Sequence, residues 1–395
     1  METVDVIVLG GGVAGVCAAL AAASTGARTV LIRRGPGVTA LAAGAWIGEP
    51  PAAVAAALSA AGLPLVDCAA PLPHPVGRLV AADAAPVSHA RAAIAAGAER
   101  ALVCGIGGLP GFRANALAAL WRESGGLPDH ALEPVTLSLD GTPAGGWSPV
   151  SLAAHLEDEP DRLAGPLTHA VRERGAARVL LPAVLGIENH AVVHSALESA
   201  VGVAIGEALG VAPSLPGWRL DRALQQSLVQ AGVQLLTGVV DHTEHDDNAV
   251  MVTVHMTGAR PDTRSWRAGA LVLAAGKFAG GGIAADTSFR DTAMGSPIVL
   301  QRLGRRFIDA SESLAMTDPV RHEPQPLLRT GVAAEPSGCP LPAPGAKALR
   351  NVFVAGSVRE GTETATLGLG HAAGEGWEAG LRAAGKESDM RSSWA

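Results

Sequence analysis

Residues 4–15 decide the fold of this chain, and they run Val4-Asp5-Val6-Ile7-Val8-Leu9-Gly10-Gly11-Gly12-Val13-Ala14-Gly15. The first six residues are a short apolar run, which is typical of a buried strand. An alanine-rich helix is expected to follow as far as about Ser24, and residues 28–32 are expected to form a second strand. This order of strand, glycine-rich turn, helix and strand predicts a nucleotide-binding β-α-β unit.

Each glycine of the turn has a separate task. Gly10 makes the tight turn, Gly12 lets the backbone approach a phosphate, and Gly15 lets the helix pack closely on the strand. The phosphate then lies at the positive N-terminal end of the helix. We therefore predict that Gly10, Gly12, Val13, Ala14 and Gly15 bind the phosphate of a cofactor.

The second strand ends in an unexpected residue type. An Asp or Glu about 20 residues beyond the glycines normally binds the ribose hydroxyls of an adenosine. Here that position holds Arg33, and Arg34 follows it. The turn is therefore predicted to bind a phosphate without the usual ribose contact, and Arg33 either pairs with a phosphate or lies in solvent.

The composition limits the possible functions. The chain has 395 residues, 48% of them hydrophobic, which is enough for a large core and for two domains. A net charge of −7 argues against nucleic acid as a partner. The four cysteines have neither zinc nor iron–sulfur spacing. With no signal peptide and no long apolar segment, we expect a cytoplasmic protein that reaches a membrane only through a partner.

Two later segments complete the nucleotide-binding pattern. Residues 270–276 and residues 351–357 are predicted strands that end in small residues, and a small-residue helix follows the second strand. In two-domain flavoproteins such pieces meet around the flavin, and the helix N-terminus stabilises negative charge on the reduced ring. This closure favours a flavoprotein over a nicotinamide enzyme, because a simple dehydrogenase does not need it. The cofactor-binding candidates here are Ala275, Gly276, Gly356, Ser357 and Gly370.

The predicted fold class is α/β, a Rossmann-like flavoprotein of two dinucleotide-binding domains with an inserted α/β cap domain. A strand over 99–106, a glycine-rich turn and a helix suggest where the insertion begins. The expected divisions are a flavin-binding domain in three parts (1–98, 213–284 and 346–395), an inserted α/β domain (99–212) and a cap or interface segment (285–345).

The chain resembles the B-type subunit of anaerobic glycerol-3-phosphate dehydrogenase over nearly its whole length. The similarity includes the Rossmann glycines, which many flavoproteins share, and more specific internal motifs. These motifs are Gly105-Ile106-Gly107-Gly108-Leu109 with Phe112, Leu181-Pro182-Ala183 with Gly186, and Pro213-Ser214-Leu215-Pro216 with Arg219-Leu220. The similarity continues through residues 271–282 and 351–357, whereas residues 359–366 depart from the Asp-, Pro- and Gly-rich stretch of the family.

The resemblance implies a three-part enzyme. A separate FAD-containing catalytic subunit oxidises glycerol 3-phosphate, the B-type subunit carries FMN, and an iron–sulfur membrane-anchor subunit passes electrons to quinone. Arg33 fits this arrangement, because FMN has no adenosine and needs no ribose-binding acid. FAD remains the alternative cofactor, since some FAD sites lack that acid.

Four single residues are candidates for roles near the cofactor. Lys277 is a candidate catalytic cation beside the flavin, or a surface lysine in a glycine loop. His371 is a candidate acid or base, or a polar residue at a helix start. Arg359 either contacts the cofactor or forms a surface ion pair with Glu360 or Glu363. Gly44 lies in a small-residue segment suited to close approach of a ligand.

Two histidine-containing stretches have metal-like spacing. His190 and His194 lie four residues apart near Glu188 but lack a third ligand, which favours a solvated helix face. Residues 241–247 contain acids and histidines in close succession and are interpreted as a polar turn. No metal site is predicted.

Two other functions stay open from the sequence. One is an autonomous FAD-dependent oxidoreductase that acts on its own small substrate. The other is a cofactor-free protein that only bridges partner subunits, although the glycine turn at residues 10–15 argues against it.

Overall fold

A computed structural model describes residues 1–95, 99–258, 261–285, 289–296, 298–300, 306–307, 325–342, 348–362 and 364–386. The chain divides into two compact units. The first unit comprises Met1–Thr39, Pro50–Val54 and Leu224–Ala395, and the second comprises Ala40–Glu49 and Ala55–Ala223. Residues 55–98 thus cluster with the second unit, whereas the sequence suggested a boundary after residue 98.

The N-terminal segment folds as the sequence predicts. Its elements are β1 (Glu2–Thr3), β2 (Val6–Leu9), α1 (Val13–Ser24) and β3 (Thr29–Arg33). Strand β2 is fully buried and pairs in parallel with β3. Helix α1 is apolar on all sides and is buried along residues 13–22, as expected for a helix covered on every face.

The middle of the chain alternates strands and helices. Its elements are α2 (Ala52–Ala60), β4 (Leu65–Asp67), β5 (Leu72–Pro73), β6 (Leu79–Val80), β7 (Ala84–Pro86), α3 (Val87–Arg91), β8 (Ala101–Ile106), α4 (Ala114–Gly125), β9 (Leu132–Leu137), α5 (Pro149–Asp158), α6 (Asp161–Arg174), β10 (Arg178–Leu181), α7 (His190–Val201), β11 (Ala204–Glu207) and α8 (Leu215–Gln230).

A parallel sheet organises the second unit. Among the described residues its strand order is β11-β10-β8-β9. Successive side chains of a strand point to opposite faces. Leu102 and Cys104 accordingly pack in the core with α5, α6 and α7, whereas Ala101 and Val103 pack in the core with α4.

The remainder of the chain contains β12 (Gln234–His245), β13 (Val250–Met256), β14 (Thr263–Ala268), β15 (Ala270–Leu273), β16 (Ile283–Ala285), β17 (Phe289–Asp291), β18 (Ile298–Leu300), β19 (Arg306–Phe307), α9 (Pro326–Arg329), β20 (Gly331–Val332), β21 (Val352–Val354) and α10 (Thr364–Ala383). Much of the predicted cap or interface segment, residues 285–345, lies outside the described residues.

The turn predicted over residues 241–247 is wrong for residues 241–245. These residues belong to β12, which pairs antiparallel with β13 from Gly238 to His245. The turn begins only at Asp246, whose carboxylate accepts the amide hydrogens of Asn248 and Ala249. Ladder hydrogen bonds therefore outweigh the low strand propensity of the polar residues.

The sheet of the first unit is mixed. Among the described residues its order is β1-β14-β13-β12-β3-β2-β15-β21, and the run from β12 through β21 is parallel. Helices α1 and α10 pack together at two glycines of α10: a Cβ at Gly376 or Gly380 would lie about 2 Å from the carbonyl oxygen of Ala14 or Ala18. The predicted α/β Rossmann-like fold is confirmed.

Helix α10 is interrupted at Gly368. Its φ of 70° and ψ of −170° are not helical, so that two helical segments meet there. Gly370 and His371 consequently lie in the first turn of the second segment. This agrees with the helix start that the sequence predicts near these two residues.

Candidate functional site

The glycine turn after β2 is fixed by close backbone packing. Gly10 has a φ of +123°, and a Cβ there would lie 2.1 Å from the carbonyl oxygen of Ala274. A Cβ at Gly15 would lie 1.9 Å from the carbonyl oxygen of Gly10. Both positions therefore require glycine for the turn itself, whether or not a ligand is bound.

Gly12 is different, because its surroundings are open. Among the described residues, a Cβ there would meet within 4 Å only the Thr39 hydroxyl, at 3.5 Å. Gly12 caps α1 with an extended backbone and no side-chain cap, while the Thr39 hydroxyl accepts the Val13 amide hydrogen at 2.9 Å. A phosphate fits this cradle beside the first-turn amides, which are the groups that bind anions at helix N-termini. Thr39 was not singled out from the sequence.

Two arginines, Arg33 as the last residue of β3 and Arg34 directly after it, make this end of the turn basic. The Arg33 side chain lies across Gly11, with its Cδ 2.6 Å from the position of a Cβ built on that glycine. Arg34 is exposed, and its Nη1 lies 3.4 Å from the corresponding position at Gly281. A guanidinium only donates hydrogen bonds, so Arg33 cannot replace a carboxylate as acceptor for ribose hydroxyls.

Neighbouring strands bring other predicted residues to the same edge. The parallel strands β2, β15 and β21 are adjacent, so their carboxyl ends place the Gly10 turn beside residues 274–276 and 356–357. Gly276 has a φ of +79°, and its Cβ position lies 3.8 Å from the Ser357 hydroxyl. Gly356 has a φ of +71° and approaches the Ala14 methyl group. We therefore group these residues as one candidate cofactor site.

Glu375 of α10 organises the loop after β21, and the sequence analysis missed it. Its carboxylate accepts the Gly356 amide at 3.0 Å and pairs with Arg359 at 3.0 Å and with His371 at 3.5 Å. The ion pair expected between Arg359 and Glu360 is thus replaced by one with Glu375, while Glu363 lies outside the described residues. The spacing of four between His371 and Glu375 was the available signal.

Lys277 binds two other loops. Its ammonium group donates to the backbone carbonyl oxygens of Leu328 and Thr362, the latter at 2.8 Å. The lysine therefore joins three segments of the first unit. A catalytic role for it stays a prediction.

Gly44 belongs to the second unit. Its φ is +106°, and a Cβ there would lie 2.7 Å from His89 Nε2 and 3.2 Å from Pro216. These close contacts require glycine at position 44 even when no ligand is bound. Its predicted role in cofactor binding is not tested by them.

The second unit contains a buried polar cluster. Glu207 and Arg219 are 0% and 4% exposed and form a bidentate ion pair at 2.7 and 3.1 Å. Ser88 donates to Glu207 at 2.9 Å, and its hydroxyl lies 2.9 Å from His190 Nε2. His194 is also buried and lies 2.7 Å from the Ile205 carbonyl oxygen. The predicted solvated face at His190 and His194 is therefore wrong, because partners distant in sequence cover it.

Glu207 and Arg219 carry opposite charges within this cluster. Burial alone would raise the pKa of the Glu207 carboxyl, but Arg219 outweighs this effect and holds that pKa well below its usual range. Burial, reinforced by the Arg219 charge, lowers the pKa of His190 to about 3. Burial also lowers the pKa of His89. Both imidazoles are neutral in the fold.

We expect the free energy of unfolding to decrease as the pH falls below 6.5. Since the folded pKa values of His89 and His190 lie below the ordinary 6.5, the unfolded chain takes up these protons first. Each histidine contributes a slope of up to about 1.4 kcal/mol per pH unit. Urea unfolding at pH values of about 7.5, 6 and 5 measures the slope of the free energy of unfolding against pH. These values span the ordinary histidine pKa. His190→Gln should flatten the slope and the exposed control His169→Gln should not, so equal slopes in both variants would contradict the cluster's role.

The described residues contain neither a metal-binding cluster nor a membrane-spanning helix. No group of three or more His, Cys, Asp and Glu side chains there is arranged to hold a metal ion. Within the same part of the chain, no helix has the length and hydropathy needed to cross a bilayer.

Comparison with known proteins assigns the family. Residues 5–57 match the FAD binding domain family. A Halobacterium salinarum protein, named as the probable B-type subunit of anaerobic glycerol-3-phosphate dehydrogenase, is 31% identical, and the alignment covers 96% of this chain and 97% of that protein. The same match is found in a second strain of that organism. The chain belongs to the family of B-type subunits of anaerobic glycerol-3-phosphate dehydrogenase.

Membership in this B-type family confirms the resemblance predicted from the sequence. The chain is therefore a flavin-dependent oxidoreductase. The preference for FMN over FAD is not supported, because the matched domain family is one that binds FAD. The name of the relative, which is that of one subunit among several, also implies partner subunits.

Solved structures resemble this B-type family member only distantly. The 3-ketosteroid-delta4-(5alpha)-dehydrogenase of Rhodococcus jostii RHA1 is 14% identical with a TM-score of 0.38, and the match covers 97% of each chain. The 3-ketosteroid delta1-dehydrogenase of Sterolibacterium denitrificans is 12% identical with a TM-score of 0.39, covering 98% of this chain and 99% of that one. Likenesses at this level carry no argument about substrate.

Proposed function

We propose that this chain is the flavin-binding relay subunit of a glycerol-3-phosphate dehydrogenase complex. It receives electrons from an FAD-containing catalytic subunit and passes them to an iron–sulfur membrane-anchor subunit and on to quinone. The chain is cytoplasmic and reaches the membrane through that anchor. The observation that carries the flavin site is the open cradle at Gly12 beside the first-turn amides of α1. The family membership supports the assignment to a multi-subunit enzyme.

A bound flavin would supply the electron-transfer chemistry that joins a two-electron donor to one-electron clusters. The amides of α1 and the Thr39 hydroxyl would hold its phosphate. The second segment of α10, which begins after Gly368, would direct its N-terminal amides toward negative charge on the ring. His371 would hold a proton there, oriented by Glu375. Lys277 would keep the surrounding loops in place.

Two candidate cofactors follow from different observations. The FAD binding domain match supports FAD. The absence of a carboxylate at Arg33 favours FMN, because the usual acceptor for the adenosine ribose is missing there. The deciding experiment is a visible absorption spectrum of the purified chain, with the released cofactor identified by mass. A colourless chain that binds neither added flavin would refute the proposal.

Thr39→Val should weaken flavin binding about tenfold or more, because one hydrogen bond to a charged phosphate contributes about 1.5–3 kcal/mol. The change keeps the shape of the side chain and removes only the hydroxyl next to Val13. Quenching of flavin fluorescence by the cofactor-free chain measures the affinity. Thr168→Val, which removes a helix hydroxyl bonded to Ala164, is the matched control. Equal affinities of the two variants would place the phosphate elsewhere.

A further inference from the structure

The parallel sheet of the second unit has its own topological switch point. From β8 the chain passes through α4 to β9 on one side, and from β9 it returns to β10 on the other side of β8. Helix α4 packs on one face of the sheet, while α7, which follows β10, packs on the opposite face. The connections after β8 and β10 therefore diverge. In open α/β sheets, such a divergence at the carboxyl ends of the strands leaves a crevice where ligands bind.

A pocket lies at this crevice. It is lined by residues 109–112 after β8, by residues 182–184 after β10 and by residues between 209 and 216 after β11, together with Pro75 and Pro149. The space between these residues is about 460 Å³, a volume that includes solvent outside the pocket, because the pocket is half open. Residues of all three loops, among them Leu109, Pro182 and Pro213, belong to the internal motifs on which the resemblance to the family rests.

The pocket wall is apolar and poor in hydrogen-bond donors. Among the described lining residues none has a charged side chain. The prolines, which lack an amide hydrogen, are Pro75, Pro110, Pro149, Pro182, Pro213 and Pro216. Other amides of the wall are already used: Leu109 donates to Ile106, Leu209 to Pro73 and Gly210 to Ala43. An anion would find no counter-charge and few donors here.

The buried ion pair holds two sides of the pocket together. Arg219 donates to the Gly186 carbonyl oxygen at 2.9 Å, and Glu207 accepts the Leu185 amide at 2.7 Å. Gly186 and Leu185 continue the loop after β10, while Glu207 ends β11. The pocket is therefore preformed, and binding requires little ordering of its wall.

We propose that this pocket binds an uncharged, largely apolar small molecule. The amides of Leu109, Leu209 and Gly210 are already bonded within the protein, so an extended peptide would find few of the backbone partners that strand pairing needs. The remaining class of occupant is a compact ring compound held by contact area, with few polar contacts. The pocket and the proposed flavin cradle share no residue, and every lining residue belongs to the second unit.

The test uses the purified full-length chain and prodan, an uncharged naphthalene fluorophore. We expect saturable one-to-one binding with blue-shifted emission, and weaker binding of the anionic 1-anilinonaphthalene-8-sulfonate. Val211→Asp places a carboxylate at the pocket mouth, where Val211 is 46% exposed, and should weaken prodan binding at least tenfold. Val192→Asp, at a 68% exposed position of α7 outside the lining, is the matched control and should bind like the wild type.

A second pair of variants separates a loss of binding from an effect on folding. Ala183→Leu fills the pocket, and Ala196→Leu makes the same change on an exposed helix face. Loss of binding in both pocket variants, with unfolding midpoints equal to those of their controls, supports the proposal. No saturable binding to the wild type, stronger binding of the anionic probe, or equal prodan affinity in Val211→Asp and Val192→Asp would overturn it. Flavin content is read from the same samples, so that failure here is distinguishable from failure of the flavin assignment.

Discussion

Arg219→Met is expected to lower the free energy of unfolding by about 3–5 kcal/mol. Removal of one partner of a buried ion pair leaves the other charge uncompensated, and that charge is the source of the cost. Glu207 is 0% exposed, so water cannot replace the guanidinium. The Gly186 carbonyl oxygen also loses its donor. Equilibrium unfolding in urea measures the change.

Arg222→Met on the same helix is the matched control. Arg222 pairs with Glu188 at 3.0 Å, but both side chains are more than half exposed. Exposed pairs contribute about 0–1 kcal/mol, so this variant should be nearly neutral. The double variant Glu207→Leu with Arg219→Met should recover much of the loss, because it removes both charges. Equal losses in Arg219→Met and Arg222→Met would mean that Glu207 is not held as a buried carboxylate.

Gly376→Ala is expected to lower the free energy of unfolding by about 3 kcal/mol, at the upper end of the usual range for overpacking. It should also abolish flavin retention. A single added methyl group would lie 2.0 Å from the Ala14 carbonyl oxygen, and backbone cannot move aside as a side chain can. Helices α1 and α10 must therefore separate. The shift displaces the first turn of α1, which forms the proposed cradle. Thermal unfolding and flavin absorbance measure the two effects.

Gly165→Ala is the control for Gly376→Ala. Gly165 also lies inside a helix, α6, but a Cβ there meets no atom of the described part of the chain within 4 Å. Alanine should stabilise that helix by about 0.5–1 kcal/mol. If both variants were equally stable, the close contact between α1 and α10 would not exist in the folded protein.

The sequence predicted those features that depend on neighbours along the chain. The strand at Val6–Leu9, the helix to Ser24 and the turn at Gly10 follow from local hydrophobic patterns and backbone sterics. The start of a helix near Gly370 followed from its run of small residues. These features need no knowledge of which segments meet.

The features that were missed depend on long-range pairing. Thr39 reaches Val13, Glu375 reaches Gly356, and Glu207 reaches Ser88 only after the sheets have formed. The four-residue spacing of His190 and His194 suggested a solvated helix face, but partners from other segments bury both histidines. Pairing of β12 with β13 likewise decided the structure of residues 241–245. No local pattern contains this information.

The glycine contact between α1 and α10 has a consequence for the order of events during synthesis. Ala14 and Ala18 leave the ribosome more than 350 residues before Gly376 and Gly380, which cover them. The second unit is nearly contiguous in sequence and can fold while the rest is still being translated. The face of the apolar helix α1 that α10 covers stays exposed until α10 has been synthesised. We therefore expect nascent chains truncated before residue 364 to depend on chaperones for solubility, although the second unit within them is already folded.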